Sequence, residues 1–344
     1  MSRGGAAETT SRPPRRRLGL SGELARWEEL FFIQRSRMAR KIAPMLPRPL
    51  LHALVLSGAV LATPWRLVAA ADLPPSPPVS RPETIAGFMA AYRPMMIAHR
   101  GFSGQAPENT LVAVRQAIEV GADMVEVDVT RTADGDVILL HDETLDRTTD
   151  GTGRALDTPF AMIRRLDAGS WFSPRYAGEP VPTLAELLEL TRGKILVNIE
   201  IKGEAVTDTA RGGISQAVAE LVAAHEMVDQ VIVSSFDPRA LAQLRDLAAA
   251  GVVPRLVTGS LYAIDLHQDQ TPDEIAGDVG ASAFHIGVRH VHAEHVADAH
   301  EAGLLVAVYT VNRQRMMRHL LDLGVDAFFT DHPDRLLDVL TERR

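Results

Sequence analysis

Residues 305–333 read Leu305-Val-Ala-Val-Tyr-Thr-Val311, Asn312-Arg-Gln-Arg-Met-Met-Arg-His-Leu-Leu-Asp-Leu323, Gly324-Val-Asp-Ala-Phe-Phe-Thr330 and Asp331-His-Pro333. The first run is short, apolar and β-rich, as a strand buried on both faces requires. A helix is expected over 314–323, closed by Gly324 just before the next strand at 327–330. His332-Pro333 then reads as a helix start with proline in the first turn. The same alternation continues toward the N-terminus. Strands are expected at 95–99, 124–130, 137–141, 195–201, 231–236, 253–258 and 283–286. Helices are expected at 111–120, 184–190, 210–224, 240–249, 273–278, 293–302 and 333–340. Strand followed by helix, repeated about eight times, predicts a parallel α/β protein. About 250 residues in eight units fit a closed TIM (β/α)8 barrel better than the alternative, an open doubly wound sheet. No dinucleotide-type loop is present, since Gly151-Thr-Gly153 follows a polar turn and lacks the third glycine.

Composition narrows the chemistry. The 344-residue chain has no cysteine, 46% hydrophobic residues and a formal net charge of -8. Disulfides, thiolate zinc sites, iron–sulfur clusters and a cysteine nucleophile are excluded. The apolar fraction is enough for a sizeable core. Residues 1–71 hold 12 Lys and Arg against 4 Asp and Glu, whereas residues 72–344 hold 24 against 40. An acidic body is a poor binder of nucleic acid, which needs a basic surface. It can still take up a phosphate where a metal ion supplies positive charge.

The chain divides into a basic extension over 1–37, a signal-like segment over 38–71, a Pro-rich linker over 72–93 and the barrel over 94–344. The apolar run Ala53-Leu-Val-Leu-Ser-Gly-Ala-Val-Leu-Ala-Thr63 is too short for a bilayer of about 30 Å, which takes about 20 residues. A basic flank, a short apolar run and small residues at Ala69 and Ala71 fit a secretory signal ending near Ala71. That predicts a periplasmic or secreted protein. The competing readings are an uncleaved membrane anchor, the one membrane contact then expected, and a disordered basic tail. Met38-Ala-Arg-Lys41 would open a signal of ordinary length, so residues 1–37 read as an upstream in-frame extension. Leu73–Pro82, with five prolines, reads as a stiff spacer.

In a barrel, function collects at the C-terminal ends of strands. There the sequence places Ala98-His-Arg-Gly101, Glu126-Val-Asp128, His141-Asp142 and Glu200-Ile-Lys202. Glu126 and Asp128, spaced i, i+2, project from one face of a strand, and so do Glu200 and Lys202. Burying carboxylates inside a barrel is costly without compensation. Ion pairs with Lys202 or Arg100 would account for one E-x-D alone. Three converging acids beside a lysine and two strand-end histidines point instead to one hard divalent cation, Mg2+ or Ca2+, with oxygen ligands. His99 and His141 are the best acid/base pair, because imidazole titrates near working pH. Arg100 offers a planar fork for phosphate oxygens.

Together, Ile97-Ala-His-Arg-Gly101, Pro107-Glu-Asn-Thr110, Glu126-x-Asp128, His141-Asp142 and Glu200-x-Lys202 resemble the signature set of the glycerophosphodiester phosphodiesterase family. Leu145-Asp-Arg-Thr-Thr-Asp-Gly-Thr-Gly153, Val181-Pro-Thr-Leu184 and Phe329-Thr-Asp-His-Pro333 also fit, so the resemblance spans roughly 94–341. It implies a TIM-barrel enzyme with one divalent metal that hydrolyses glycerophosphodiesters to glycerol 3-phosphate and an alcohol. By position, Glu126, Asp128 and Glu200 would bind the metal, and His99 and His141 would exchange protons. Arg100 and Lys202 would neutralise the phosphate, while Glu108 and Asn109 shape the mouth.

The chain also departs from the family pattern. Tyr309-Thr-Val-Asn312 stands where the family often has Trp-Thr-Val-Asn, so Tyr309 is expected to wall the glycerol pocket. Phe284-His-Ile286 replaces a more usual Asn-Pro, making Phe284 and His285 candidate substrate contacts. Alternatives of other kinds are a related phospholipase D-type barrel for lysophospholipid, with Val181, Leu261, Tyr262 and Ile264 as an apolar rim, and a non-catalytic binding barrel. His290, His292, His295 and His300 suggest a second metal site. Trp171-Phe172 reads as a packing loop or lid, Asp134-Gly135 as a tight hairpin turn, and Asp146, Asp150 and Asp157 as turn caps.

Overall fold

A computed structural model describes residues 84–89, 94–267 and 270–343. The expected segments 1–37 and 38–71 lie outside the described residues. Among the described residues, eleven α-helices and nine strands follow one another. They begin α1 (Ile85–Met89), β1 (Met95–His99), α2 (Leu111–Val120), β2 (Met124–Arg131), β3 (Val137–Leu139), α3 (Phe160–Ile163) and α4 (Leu184–Thr191). The middle units are β4 (Leu196–Ile201), α5 (Ile214–Ala224), β5 (Val231–Ser235), α6 (Pro238–Ala249), β6 (Val257–Leu261), α7 (Ile264–His267) and α8 (Pro272–Val279). The chain closes with β7 (Ala283–Gly287), α9 (Ala293–Glu301), β8 (Leu305–Tyr309), α10 (Gln314–Leu323), β9 (Ala327–Thr330) and α11 (Pro333–Glu342).

Eight of the strands are parallel and join in the order β1-β9-β8-β7-β6-β5-β4-β2, and β1 pairs back onto β2. The sheet is therefore a closed TIM barrel. β3 is an antiparallel appendage on β2, reached through the turn at Asp134-Gly135. Helix boundaries follow local chemistry. Thr110 caps α2 by accepting from the Ala113 amide, and Gly121 ends it with φ 92°. Thr183 with Glu186 forms a reciprocal capping box on α4. Pro238, Pro272 and Pro333 occupy first turns, where a missing N–H costs nothing.

Alternation along the strands sorts side chains into two layers. Val125, Val127, Val197, Ile199, Val233, Phe284, Ile286, Val306 and Phe328 face outward into one core shared with the helices. Met95, Ile97, Met124, Leu196, Ile232, Ala283, Leu305 and Ala327 face inward and fill the barrel's N-terminal end. Ile85 of α1, only 1% exposed, packs into that inner cluster. The segment expected to be linker thus contains a helix that plugs the barrel floor. Toward the C-terminal ends the inward residues turn polar, and the site begins there.

One strand lies later than the sequence suggested. β6 runs over Val257–Leu261, not 253–258. The Val252 amide still closes the end of α6 on the Leu247 carbonyl, and Pro254 has no N–H to give a ladder. The true strand carries Thr258-Gly-Ser260, too polar and small to stand out as an apolar run.

Candidate active site

β1 ends in His99, and the chain then turns through two left-handed residues, Arg100 at φ 54° and Gly101 at φ 81°. A Cβ on Gly101 would sit 2.7 Å from the Ala113 carbonyl carbon, so only glycine lets this turn rest on α2. The turn aims the Arg100 amide at Glu126 Oε2, 2.9 Å away. Pro107-Glu-Asn-Thr110 has a parallel task. Asn109, also left-handed at φ 57°, donates from Nδ2 to Asp128 Oδ2 at 2.9 Å and accepts from the Asp128 amide on Oδ1 at 3.1 Å.

Glu126, Asp128 and Glu200 converge, each with a carboxylate oxygen within 4.8 Å of the others. Glu126 and Asp128 are almost fully buried. Lys202 Nζ lies 2.8 Å from Glu200 Oε1 and 3.4 Å from Asp128 Oδ1, and Arg100 Nε is 3.2 Å from Asp128 Oδ2. Arg100 and Lys202 outweigh burial at Asp128 and hold its carboxyl below the usual range. At Glu126 the balance reverses: burial, reinforced by Asp128 and Glu200, outweighs His99 and Arg100 and pushes it up to about 8. Its Oε1 is buried without a protein hydrogen-bond partner. Burial and Asp128 also raise Glu200, against the pull of Lys202. An orphaned oxygen in an under-neutralised carboxylate trio is the donor set that a hard divalent cation fits.

Two imidazoles flank this trio, each backed by an acid. His99 Nδ1 lies 2.6 Å from Asp331 Oδ1, and His141 Nδ1 lies 2.6 Å from Asp142 Oδ1. An ionised carboxylate only accepts, so Nδ1 carries the hydrogen and Nε2 is left for chemistry. Burial lowers the proton affinity of His99, but Asp331 and Glu126 more than offset it, and the ring titrates above its ordinary value. At His141 burial wins, aided by Arg100 and Lys202 against Asp128, and the ring titrates below it. Asp331 is itself fixed by Asn312 Nδ2 at 2.5 Å and Ser103 Oγ at 3.1 Å.

His99, Arg100, Glu126, His141 and Glu200 line a cavity of about 150 Å3. Ser234, Phe236, Leu261, Tyr309 and Phe329 line it too. A larger cavity of about 380 Å3, between α6, β6 and α8, is lined by Leu241, Leu244, Arg245 and Arg255 and contains none of these groups. Size does not mark the site here. Tyr309 is held across the mouth, its hydroxyl donating to the Tyr262 carbonyl at 2.6 Å and its ring meeting Phe236 edge-on.

Most of the expected site residues come together: His99, His141, Arg100, Lys202, Tyr309, Glu126, Asp128 and Glu200. Phe284 does not. It is fully buried in the outer core, because odd-numbered residues of β7 face the barrel interior and Phe284 is out of phase. His285 does face inward, but it is wedged between Gly259 and Phe329, and burial drives it down to about 3. The four-histidine site is not formed either. His300 pairs with Asp326, His292 stacks on His295, and among the described residues only the Glu126 trio gathers three metal-capable side chains. Asp331, Asn312, Asp142, Phe236 and Ser234 were not singled out from the sequence. Asp142 and Asp331 carried a visible signal, an acid closing or following a strand within a quoted motif.

This mouth is equipped for acid/base work on an anion: a buried negative trio, two cations and two oriented imidazoles. Comparison with known proteins gives that class its family. The chain belongs to the glycerophosphoryl diester phosphodiesterase family, whose model matches residues 99–335, and so to the phosphoric diester hydrolases. It is 36% identical to the glycerophosphodiester phosphodiesterase of Caldanaerobacter subterraneus subsp. tengcongensis, over 72% of this chain and 97% of that protein. A phosphodiesterase from Oleispira antarctica, solved with the product sn-glycerol-3-phosphate, superposes with TM-score 0.65 at 32% identity, over 74% of this chain and 99% of the other. The glycerophosphodiester phosphodiesterase of Agrobacterium tumefaciens gives TM-score 0.61 at 32% identity, over 71% and 98%.

Proposed function

We propose that this chain hydrolyses glycerophosphodiesters to sn-glycerol 3-phosphate and a free alcohol, using His99 and His141 as the acid/base pair and one divalent cation, Mg2+ or Ca2+. The observation that carries the reading is a single cavity flanked by two carboxylate-backed imidazoles beside an under-neutralised acid trio. Glu126, Asp128 and Glu200 would hold the cation, which when bound supplies positive charge for the phosphate and for the charge that grows during displacement.

The protein's own groups do the rest. Arg100 and Lys202 face the dianionic character of the transition state and stabilise it. His141, kept neutral, takes the proton of the attacking water or substrate hydroxyl as its oxygen bonds to phosphorus. His99, whose proton affinity Asp331 raises, gives a proton to the alcohol oxygen as the other P–O bond breaks. Tyr309 and Phe236 offer an apolar wall for the glycerol carbons. Of the apolar rim expected for a lysolipid enzyme, Val181, Leu261 and Tyr262 are buried and Ile264 is exposed, which favours the smaller, deacylated substrate.

The test is release of glycerol 3-phosphate from glycerophosphocholine, with and without a chelator. Replacing either histidine by alanine should cost about 10²–10⁴-fold in turnover. Unchanged turnover in both variants would overturn the assignment. We propose in addition, from the sequence pattern alone, that residues 38–71 direct export, with cleavage near Ala71. N-terminal sequencing of the native protein checks this, and a retained residue 60 would refute cleavage.

A further inference from the structure

Arg147 lies outside the set of residues so far given a task. It follows Leu145-Asp146 in the loop beyond β3, and its guanidinium binds two different carboxylates at once. Nε and Nη2 donate to the two oxygens of Asp142, at 2.5 and 3.0 Å. Nη1 and Nη2 donate to the two oxygens of Glu108, at 2.9 and 2.7 Å. Each carboxylate then touches one working group. Asp142 Oδ1 holds His141 Nδ1 at 2.6 Å, and Glu108 Oε1 accepts from Arg100 Nη1 at 2.8 Å. The result is one chain of alternating charge from the phosphate-facing Arg100 through Glu108, Arg147 and Asp142 to His141. The ring of Trp171 covers the guanidinium, with 6.0 Å between Cζ and the ring centroid.

We propose that Arg147 is a positioning residue that locks the acid/base His141 and the phosphate-binding Arg100 into one geometry. This rests on the function proposed above and adds a residue to it. The physical reasons are two. A planar fork that fills two carboxylates fixes both of them in angle as well as distance, which a lysine point charge does not. Glu108 and Asp142 come from loops 34 positions apart in sequence, so without a common cation their like charges would repel across the mouth. Arg147 also neutralises Asp142, so the carboxylate orients the His141 ring without overcharging its surroundings. The other charged groups facing that ring are Asp128, Arg100 and Lys202.

The experiment compares wild type with Arg147→Ala and Arg147→Lys on glycerophosphocholine at saturating Mg2+ or Ca2+. Three readouts are taken: kcat and KM separately, the pH profile of kcat/KM, and rescue by added guanidinium. Loss of an outer partner of this kind costs about 10–100-fold in activity. Arg147→Ala is expected to fall in that range, with KM raised through Arg100 and kcat lowered through His141. Its acidic limb should move to higher pH, because His141 then faces an unneutralised Asp142. Millimolar guanidinium should return several-fold of the lost rate. Arg147→Lys keeps the charge and the fold but not the fork, and should remain at least several-fold impaired.

Wild-type kinetics in either variant would overturn the proposal. So would a loss of rate with an unmoved acidic limb and no guanidinium rescue, since that is the behaviour of a residue that merely supports the loop. His141→Ala and His99→Ala run in parallel separate the two levels. If those are inactive and Arg147→Ala is normal, the positioning role alone fails. If those are fully active, the proposed reaction itself fails.

Discussion

Replacing Asp331 by Asn changes one atom type at the back of the site. The carboxylate accepts from His99 Nδ1, Ser103 Oγ and Asn312 Nδ2. Although burial would raise its pKa, these bonds and the His99 charge hold Asp331 down at about 2, from an ordinary 3.8. A depression of 1.8, at about 1.36 kcal/mol per unit, is worth roughly 2 kcal/mol to the folded state. The group is depressed, so that stability is fully present above pH 3.8 and is lost as pH falls through about 2. The amide in the variant cannot recover it. Its NH2 must face either the Asn312 NH2, which cannot flip because Asn312 Oδ1 already accepts from the Asp331 amide at 2.9 Å, or His99 Nδ1, which then has to give up its hydrogen and leave it on Nε2. We expect Asp331→Asn to melt about 4–8 °C lower at pH 7, with the gap closing toward pH 2. Without the carboxylate, His99 drops toward or below its ordinary value. The basic limb of kcat should then move to lower pH, and kcat should fall about 10–100-fold. Thermal melts by circular dichroism at several pH values and a pH–rate profile measure both halves. A variant with the wild-type melting curve and an unmoved basic limb would show that Asp331 neither stabilises nor tunes His99.

Because Glu126 titrates near 8 in the cation-free protein, protons compete for its oxygen; cation affinity by calorimetry should tighten about tenfold per pH unit from 5 to 8, and a flat profile argues against Glu126 as a ligand. The raised carboxylate also makes the chelated protein lose stability as pH rises from 4.5 through about 8, a loss that added cation should reverse. Gly259→Ala puts a Cβ 2.6 Å from His285 Nε2 inside the closed barrel and should cost about 1–3 kcal/mol in urea unfolding; the double variant with His285→Ala should regain part of it. Ile85→Ala opens the barrel floor and should cost about 2–5 kcal/mol, while activity per folded molecule stays normal because the floor lies at the opposite end from the mouth.

What the sequence disclosed and what it withheld divide along a physical line. Barrel strands are buried on both faces, so Val125, Val127, Val197 and Ile199 announce themselves by composition, and helices such as α10 are bounded by residues with strong local preferences, Gly324 at its end and Pro333 opening the next. Glu126, Asp128 and Glu200 were legible for the opposite reason: a charge inside such a strand is costly enough to demand compensation, and Lys202 directly after β4 is part of it. β6 was misplaced because a strand facing His285 must be small there, and Gly259 with two hydroxyl neighbours has no hydrophobic signal. Phe284 was misread because facing depends on register, and a one-residue error turns a side chain to the other side of the sheet. The residues that the quoted motifs contain but that received no role from the sequence, Asn312 and the partners Asp331, Asp142 and Arg147, act on other side chains and not on substrate. Their value lies in distances across 232 positions of chain for His99 with Asp331 and 39 for Arg147 with Glu108. Local preference carries no record of such distances, whereas burial cost does record the groups that bear charge at the mouth. The carboxylates and imidazoles of this site can therefore be found from one sequence, and the network that orients them requires coordinates.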